Sequence, residues 1–476
     1  MTKMLVAPPV APGVNVVCAG CGFVVPPSVA LPARCPAAVA GDDIDHVLVR
    51  RIDVRRVRLA ADDDPNPFVR YRQLSRSWHM AQAAGWSDDR YVGLVHRLDR
   101  AVAAVDGHGF RITPFGRADA LSAALGFSPD DGVWVKDETG GVAGSHKARH
   151  LMGVMLEVLV AESLDPGLDG RPFAIASCGN AALAAAVIAH AAGRRLDVFV
   201  PPDADAAILE RLGRLHARIE LVTRRPWETG DPTVARLHAA MDAGSIGFTC
   251  QGPDDGLAIE GGATLGYELA EAMARDDLRL DRLVVQVGGG ALASACALGL
   301  GEAAALGVIE SVPRIDTVQT EGAWPLRRAY DRVAADLRAR DATLDPTLGP
   351  IDADQPVVRD VLGFAARHRS RYMWPWETEP HSVAHGILDD ETYDWAAVVE
   401  AMLRTGGRPV VVDERTLREA NELALRATGT DADETGTAGL AGFLHLIHHG
   451  EVRPDERVAV LFTGIRRGGP PRDRSE

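Results

Sequence analysis

Short apolar runs alternate with longer stretches whose apolar residues recur every three or four positions. Runs of the first kind predict buried strands, and stretches of the second kind predict helices. From about residue 132 onward, such alternation predicts an α/β fold with parallel sheets that helices cover on both faces. The predicted strands are residues 133–135, 173–176, 197–200, 283–287, 317–319, 409–412 and 458–462, and the predicted helices include 181–192, 206–217, 257–275, 291–306, 395–404 and 416–428.

The first 45 residues follow a different pattern, rich in Pro, Ala and Val, and they include Cys18, Cys21 and Cys35. Residues 46–110 are mixed, with helical periodicity in 70–86 and 90–105. Residues 466–476 have the composition of a loose tail.

Composition and charge exclude several classes of protein. The chain has 476 residues, of which 46% are hydrophobic and 25% charged, as in ordinary globular proteins. A net charge of -15 argues against nucleic acid as a partner. The apolar runs fall short of the ~20 residues that span a membrane, and the proline-rich N-terminus does not resemble a secretory signal. We therefore expect a cytoplasmic protein, whose six cysteines are not a disulfide framework.

Lysine is rare in this chain. Among 51 basic residues there are three lysines, Lys3, Lys136 and Lys147. A retained lysine in an arginine-rich chain points to chemistry that a guanidinium cannot perform, because an amine can lose its proton and form a Schiff base. Lys136 and Lys147 are therefore candidates, whereas Lys3 lies in a terminal segment.

Lys147 follows a predicted strand and a glycine loop and stands in the first turn of a predicted helix. The positive end of a helix dipole disfavours a lysine cation, which helps to keep the amine neutral. The alternative is a plain capping segment in which Ser145 is the N-cap residue.

Three further strand ends carry polar or glycine-rich turns. Ser177, Cys178, Gly179 and Asn180 open a helix, and Asn180 is either its N-cap or a ligand-facing amide. Gly288, Gly289, Gly290, Ala291 and Leu292 form a turn that can bind a phosphate through backbone N–H groups, or simply a tight turn. Thr463 ends the last strand with a hydroxyl. An amine, an amide and a phosphate-binding turn together fit one ligand, pyridoxal 5′-phosphate.

These motifs resemble the tryptophan synthase β-like, or fold-type II, pyridoxal-phosphate enzymes, and among them the threonine synthases and amino-acid dehydratases. The family carries, in order, K-x-E, T-G-S-F-K-D-R-G, S-x-G-N, a run of glycines and a late Ser or Thr. The corresponding segments here are KDE at 136–138, GSHKARH at 144–150, SCGN at 177–180, GGGA at 288–291 and TG at 463–464. Segments 259–270, 382–387 and 434–442 match further family motifs, and the resemblance covers residues 110–465.

The resemblance implies two doubly wound α/β subdomains, with a smaller one at about 145–250 inserted in the larger and a catalytic region of 46–465. It implies that Lys147 binds the cofactor aldehyde and moves the substrate α-proton, and that Asn180 contacts the ring 3′-oxygen. It further assigns the turn from Gly288 to Leu292 to the phosphate and Thr463 to the pyridine nitrogen. Ser177, Cys178, Gly179 and Asn180 would receive the substrate carboxylate.

The implied reaction is elimination or replacement at the β-carbon of an amino acid, of the threonine synthase or hydroxyamino-acid dehydratase type, in a homodimer. His146 replaces the family's Phe and is similar to the A-H-K of tryptophan synthase β, where His lies by the phosphate. Ala148, His150 and Ala291 also depart from the pattern. Two alternatives stay open: a non-catalytic partner subunit of this fold, and a nicotinamide-dependent dehydrogenase, which would lack its glycine fingerprint.

Two segments outside these motifs remain to be placed. Cys18, Cys21 and Cys35 in residues 1–45 resemble the small ribbon that precedes some threonine synthases. A structural zinc site needs four ligands, and the fourth cysteine is missing, although an Asp or His46 is a possible substitute. We therefore predict a degenerate ribbon without a metal. The aromatic segment 374–382 either shapes the substrate pocket or is a surface loop held by its tryptophans.

Overall fold

The fold is described from a computed structural model, which covers residues 13–59, 62–225 and 230–467. Lys3 and the tail beyond residue 467 therefore lie outside the described residues. The chain divides into two compact units. Among the described residues, unit 1 comprises those within 13–42, 46–112 and 147–264, and unit 2 comprises those within 43–45, 113–146 and 265–467.

The strands in the described residues form three sheets. The strands are β1 (Val14–Cys18), β2 (Leu48–Ile52), β3 (Phe115–Arg117), β4 (Gly132–Asp137), β5 (Phe173–Ala176), β6 (Leu196–Val200), β7 (Arg218–Leu221), β8 (Ile246–Gly247), β9 (Arg282–Gln286), β10 (Arg314–Thr320), β11 (Pro409–Val412) and β12 (Arg457–Phe462). Strands β1 and β2 pair antiparallel in unit 1. A parallel sheet of order β7-β6-β5-β8 also belongs to unit 1, and a six-stranded sheet of order β11-β10-β9-β12-β4-β3 belongs to unit 2.

Helices connect the strands. They are α1 (Pro67–Arg70), α2 (Arg76–Ala83), α3 (Asp88–Asp106), α4 (Asp119–Ala124), α5 (Lys147–Leu164), α6 (Asn180–Ala191), α7 (Ala206–Arg214), α8 (Pro232–Asp242), α9 (Ala258–Arg275), α10 (Ala291–Ala305), α11 (Pro325–Arg340), α12 (Pro356–Arg367), α13 (Trp395–Thr405), α14 (Glu414–Thr428) and α15 (Ala438–His448). In the described part of the chain, no helix is both long and apolar enough to cross a membrane.

The sheet of unit 2 is covered on both faces, because the three middle residues of its strand β9, Leu283, Val284 and Val285, are all apolar. Successive side chains of a strand point to opposite faces. In β9, Leu283 and Val285 pack with α10, α11 and α13 in one core, whereas Val284 packs with α14 and α15 in the other. The parallel pairing of β9 with β10 and β12, together with these two helical layers, gives the doubly wound architecture that the alternation predicts.

The four-stranded sheet of unit 1 is entirely parallel and carries the same alternation of strand and helix. The middle of helix α6, residues 182–189, is buried, because its small alanine side chains allow close packing. In an open α/β sheet, ligands bind beyond the carboxyl ends of the strands. The turn after β5 in unit 1 and the turns after β9 and β12 in unit 2 occupy such positions.

Candidate active site

The glycine turn of unit 2 joins β9 to α10. Gly290 is the N-cap residue of α10 with a φ of 97°, a conformation that L side chains rarely adopt. A Cβ added at Gly288 would lie 2.8 Å from the Ile387 Cα, and one at Gly289 would lie 2.9 Å from the Tyr393 ring. The first N–H groups of a helix lack intrahelical partners, so this turn offers donors for an anion.

Thr463 follows β12, which is the neighbour of β9 in the sheet. Its side chain is buried, and its Oγ1 lies 2.7 Å from the Gln286 Nε2. The same Nε2 lies 3.0 Å from the Gly436 carbonyl oxygen and 3.3 Å from that of Leu461. These carbonyl acceptors orient the Gln286 amide so that it donates to Thr463, which leaves the threonine proton available for another acceptor.

Gln286 contacts the candidate site residue Thr463, although the sequence analysis did not single it out. It is the last residue of β9, directly before the glycine turn, and its Oε1 is buried without a hydrogen-bond partner in the described residues. The sequence signal that could have identified Gln286 is its position as the one amide in the otherwise apolar run 283–287.

His146 and Ser145 are held beside Thr463 in unit 2. The His146 backbone N–H donates to the Thr463 carbonyl over 3.3 Å, and the imidazole Nδ1 lies 3.4 Å from the same oxygen. The Ser145 Oγ is buried and has no hydrogen-bond partner in the part of the chain that is described, so Ser145 does not act as an N-cap. Unit 2 therefore brings together the glycine turn, Thr463 and His146.

Lys147 is the first residue of α5 in unit 1 and is half-buried. Among the described residues, no carboxylate pairs with its amine. His150, one helical turn further along, is fully buried, and burial together with the nearby Lys147 charge lowers the pKa of His150 to about 3. The imidazole Nδ1 lies 2.9 Å from the Ala258 carbonyl oxygen, so the neutral ring donates from this nitrogen.

The turn after β5 opens α6, which begins at Asn180. The N-cap position is occupied by Gly179, so the expectation that Asn180 could be the cap is wrong. The Gly179 N–H lies 3.4 Å from the Ser177 Oγ, and the Cys178 side chain is exposed. The open N-terminal turn of α6 in unit 1 is thus formed by Ser177, Cys178, Gly179 and Asn180.

Lys136 belongs to a buried network of hydrogen bonds and an ion pair in unit 2. Its Nζ is buried, donates to the Thr113 carbonyl oxygen over 2.8 Å and forms an ion pair with Glu268. Thr113 also hydrogen-bonds Glu138, the second buried carboxylate of this network. The retention of this lysine is therefore explained by a buried ion pair.

The aromatic segment at 374–382 packs against α11 in unit 2. The Arg328 guanidinium lies 3.6 Å from the centroid of the Trp374 ring, and Trp376 lies edge-on to Trp324. Arg328 also contacts the exposed Glu377 carboxylate over 2.9 Å. These contacts support the alternative of a surface loop held by its tryptophans.

Comparison with known proteins identifies the family. The model of the family described as "Pyridoxal-phosphate dependent enzyme" matches residues 108–464 of this chain. The chain belongs to this family. Threonine synthase from Methanosarcina acetivorans is 25% identical to it over 354 residues, which cover 74% of each chain.

Solved structures of other enzymes share the fold. The T.th. threonine deaminase aligns with a TM-score of 0.53 and 20% identity over 79% of this chain and 98% of that chain. A pyridoxal 5′-phosphate-dependent aspartate racemase aligns with a TM-score of 0.54 and 17% identity over 79% of this chain and 96% of that chain. At these identities the likeness establishes the fold alone, and this fold is the tryptophan synthase β-like architecture expected from the motifs.

The residues present in each unit fit the cofactor of this family. Unit 2 offers a turn that accepts no Cβ at Gly288 and two buried polar atoms without partners in the described chain, the Ser145 Oγ and the Gln286 Oε1. Unit 1 offers an amine without an ion pair among the described residues, at the N-terminus of an 18-residue helix. In chemistry, the turn suits a phosphate, the two buried polar atoms suit a polar aromatic ring, and the amine suits an aldehyde.

Proposed function

We propose that this pyridoxal-phosphate dependent enzyme is a lyase that catalyses elimination or replacement at the β-carbon of an amino acid. Its reaction would be of the threonine synthase or hydroxyamino-acid dehydratase type. The observation that carries the proposal is the neutral Thr463 hydroxyl at the end of β12, where Gln286 donates to its oxygen.

A hydroxyl and a carboxylate act differently on the pyridine nitrogen of the cofactor. Bound pyridoxal phosphate supplies an electron sink for negative charge that develops on the substrate Cα. A carboxylate beside the nitrogen would keep it protonated, as suits transamination. A hydroxyl whose oxygen already accepts from Gln286 donates one hydrogen bond without carrying charge, as suits loss of a leaving group from the neighbouring carbon.

We assign the remaining roles residue by residue. Lys147 would hold the cofactor aldehyde and carry the α-proton, since its amine has no carboxylate partner in the described chain. The turn from Gly288 to Leu292 would bind the phosphate, with His146 beside it. Ser177, Cys178, Gly179 and Asn180 would receive the substrate carboxylate and the cofactor ring oxygen at the start of α6.

The test is a substrate panel assayed by products. Purified protein with added pyridoxal phosphate is incubated with O-phosphohomoserine, serine, threonine and O-substituted serines. Phosphate, ammonia, 2-oxo acids and new amino acids are then quantified. O-phosphohomoserine comes first because the curated relative is a threonine synthase. Release of a leaving group from at least one substrate is the expected result.

Two controls separate the competing outcomes. Chiral chromatography follows the enantiomers of each substrate, because racemisation without release of a leaving group would contradict the proposal. Transamination with an added 2-oxo acid would contradict the role of Thr463.

We further propose a homodimer, which light scattering coupled to gel filtration would detect as twice the chain mass of 50.7 kDa.

A further inference from the structure

Four side chains with metal-binding atoms converge in unit 1. Cys18, Cys21, Cys35 and His46 place one ligand atom each within 4.8 Å of all the others. The Cys18 Sγ lies 3.4 Å from the His46 Nδ1, and the Cys21 Sγ lies 3.7 Å from the Cys35 Sγ. All three cysteines are free thiols, and a disulfide would need a sulfur–sulfur distance of about 2.05 Å.

The two distances match the edges of a zinc tetrahedron. With Zn–S of about 2.3 Å and Zn–N of about 2.1 Å, tetrahedral geometry gives S···S of about 3.8 Å and S···N of about 3.6 Å. The observed separations of 3.7 Å and 3.4 Å lie close to these values. Two of the six separations between ligand atoms thus already match a four-coordinate site, and the other four are within 4.8 Å.

A second, independent feature orients the histidine. The His46 Nε2 lies 3.0 Å from the Asp42 Oδ2, on the side of the ring opposite to the thiols. Histidines that bind metals commonly donate their other ring N–H to a carboxylate, which fixes the tautomer and makes the ligating nitrogen more basic. Asp42 therefore leaves the His46 Nδ1 lone pair facing Cys18.

The surrounding backbone explains why such a site would be needed. Cys18 ends β1, and the Ala19 N–H donates to the Val47 carbonyl oxygen over 2.8 Å, which brings His46 to the cysteine turn. Residues 19–47 form neither helix nor strand, and the apolar cluster beneath them is small. A stretch of this length without regular structure is uncommon in a compact domain unless something holds it.

We propose that Cys18, Cys21, Cys35 and His46 bind one structural Zn²⁺ ion. Four protein ligands fill the tetrahedron, so no position remains for water or substrate, and the ion holds the fold. Three thiolates and an imidazole favour zinc over the oxygen-preferring Mg²⁺ and Ca²⁺. The sequence alone predicts a degenerate ribbon without a metal and offers His46 only as a possible substitute ligand, whereas the structure places His46 with the three thiols.

The first test measures metal in the full-length, tag-free protein after dialysis. Inductively coupled plasma mass spectrometry is expected to find one zinc per chain in the wild type and a loss of that zinc in Cys35→Ser. Cys296→Ala is the matched control, since it removes a buried thiol of α10 that is not a ligand, and it should keep its zinc. A wild type with trace zinc only, or with a stoichiometric metal other than zinc, would overturn the proposal.

A second test does not depend on the folding of any variant. Wild-type protein exchanged into Co²⁺ is expected to show the visible bands of tetrahedral cobalt and thiolate-to-cobalt charge transfer. Octahedral cobalt bands, or none, would contradict the ligand set.

Asp42→Asn keeps all four ligands and should raise the zinc dissociation constant about 10–100-fold, as changes to the partner of a ligating histidine do. Zinc content and cofactor absorbance are separate readouts, so failure of this proposal leaves the proposed catalytic function standing.

Discussion

At the scale of single residues, Lys136 and Lys147 show how differently one side chain can be used. Lys136 is enclosed by Glu268 and the Thr113 carbonyl in unit 2, whereas no carboxylate of the described chain pairs with the Lys147 amine. The scarcity of lysine marked both positions in the sequence. It could not separate them, because the partner of Lys136 is more than a hundred residues away.

We predict that Lys136→Met lowers the free energy of unfolding by about 3 kcal/mol or more, because it leaves the Glu268 carboxylate buried without its cation. Denaturant titration measures the change. The double variant Lys136→Met, Glu268→Leu should lose less than the single variant, since no charge is then stranded. The absorption band of the lysine-bound cofactor should survive in both variants, and its loss in a folded Lys136→Met protein would contradict our assignment.

The buried Asp255 is expected to make the stability of the fold depend on pH. It is buried in unit 1 ahead of α9, and burial raises its pKa to about 8 although the Leu257 N–H donates to it over 3.1 Å. Between pH 4 and pH 8 the folded state thus holds a proton that the unfolded state releases, so stability falls as pH rises through this window. Asp255→Asn removes this loss and should be more stable than the wild type, by a margin that widens by up to about 1.4 kcal/mol per pH unit.

Denaturant titrations at several pH values across this window would measure that margin. Asp254→Asn is the control, because Asp254 accepts from His238 over 2.8 Å and from Arg34 over 3.2 Å, and its substitution should destabilise the fold. A constant difference between Asp255→Asn and the wild type would show that Asp255 is ionised in the folded protein.

At the scale of elements, the glycine turn shows how the start of a helix becomes a binding site. We predict that Gly288→Ala weakens pyridoxal phosphate binding at least tenfold, because its Cβ would lie 2.8 Å from the Ile387 Cα and the backbone must shift. Gly301→Ala is the matched control in α10, where an added Cβ meets nothing within 4 Å. This variant should bind normally and gain up to about 1 kcal/mol from helix propensity.

Cofactor affinity is measured by titrating apoprotein and following absorbance, with denaturant titration of each apoprotein as a check on folding. If Gly288→Ala folds and binds with wild-type affinity, the turn does not hold the phosphate.

Much of the fold could be predicted at the element scale. The buried parallel strands β5 and β11 begin and end at the predicted residues, because a strand covered on both faces is an uninterrupted apolar run. Strand β7 was not predicted, because it is an edge strand whose Arg218, Glu220 and Leu221 side chains are exposed. The hydrogen bond from Gln286 to Thr463 was equally out of reach, since it joins residues 177 positions apart.

At the scale of the whole molecule, the predicted site residues belong to two compact units. Unit 1 contains Lys147 and the turn from Ser177 to Asn180, and unit 2 contains His146, the glycine turn and Thr463. The order of motifs along the chain predicted this set of residues. The assignment of each residue to one unit could not be read from that order, because the chain passes from one unit to the other several times.

The central claim is that Lys147 holds the pyridoxal phosphate. The most direct test is the visible absorption spectrum of the purified protein with added cofactor, wild type beside Lys147→Ala. We predict a band of lysine-bound cofactor in the wild type, which borohydride reduction fixes to a peptide containing Lys147, and the absence of this band in the folded variant. A band that persists in Lys147→Ala, or a wild type that shows none, would contradict the account.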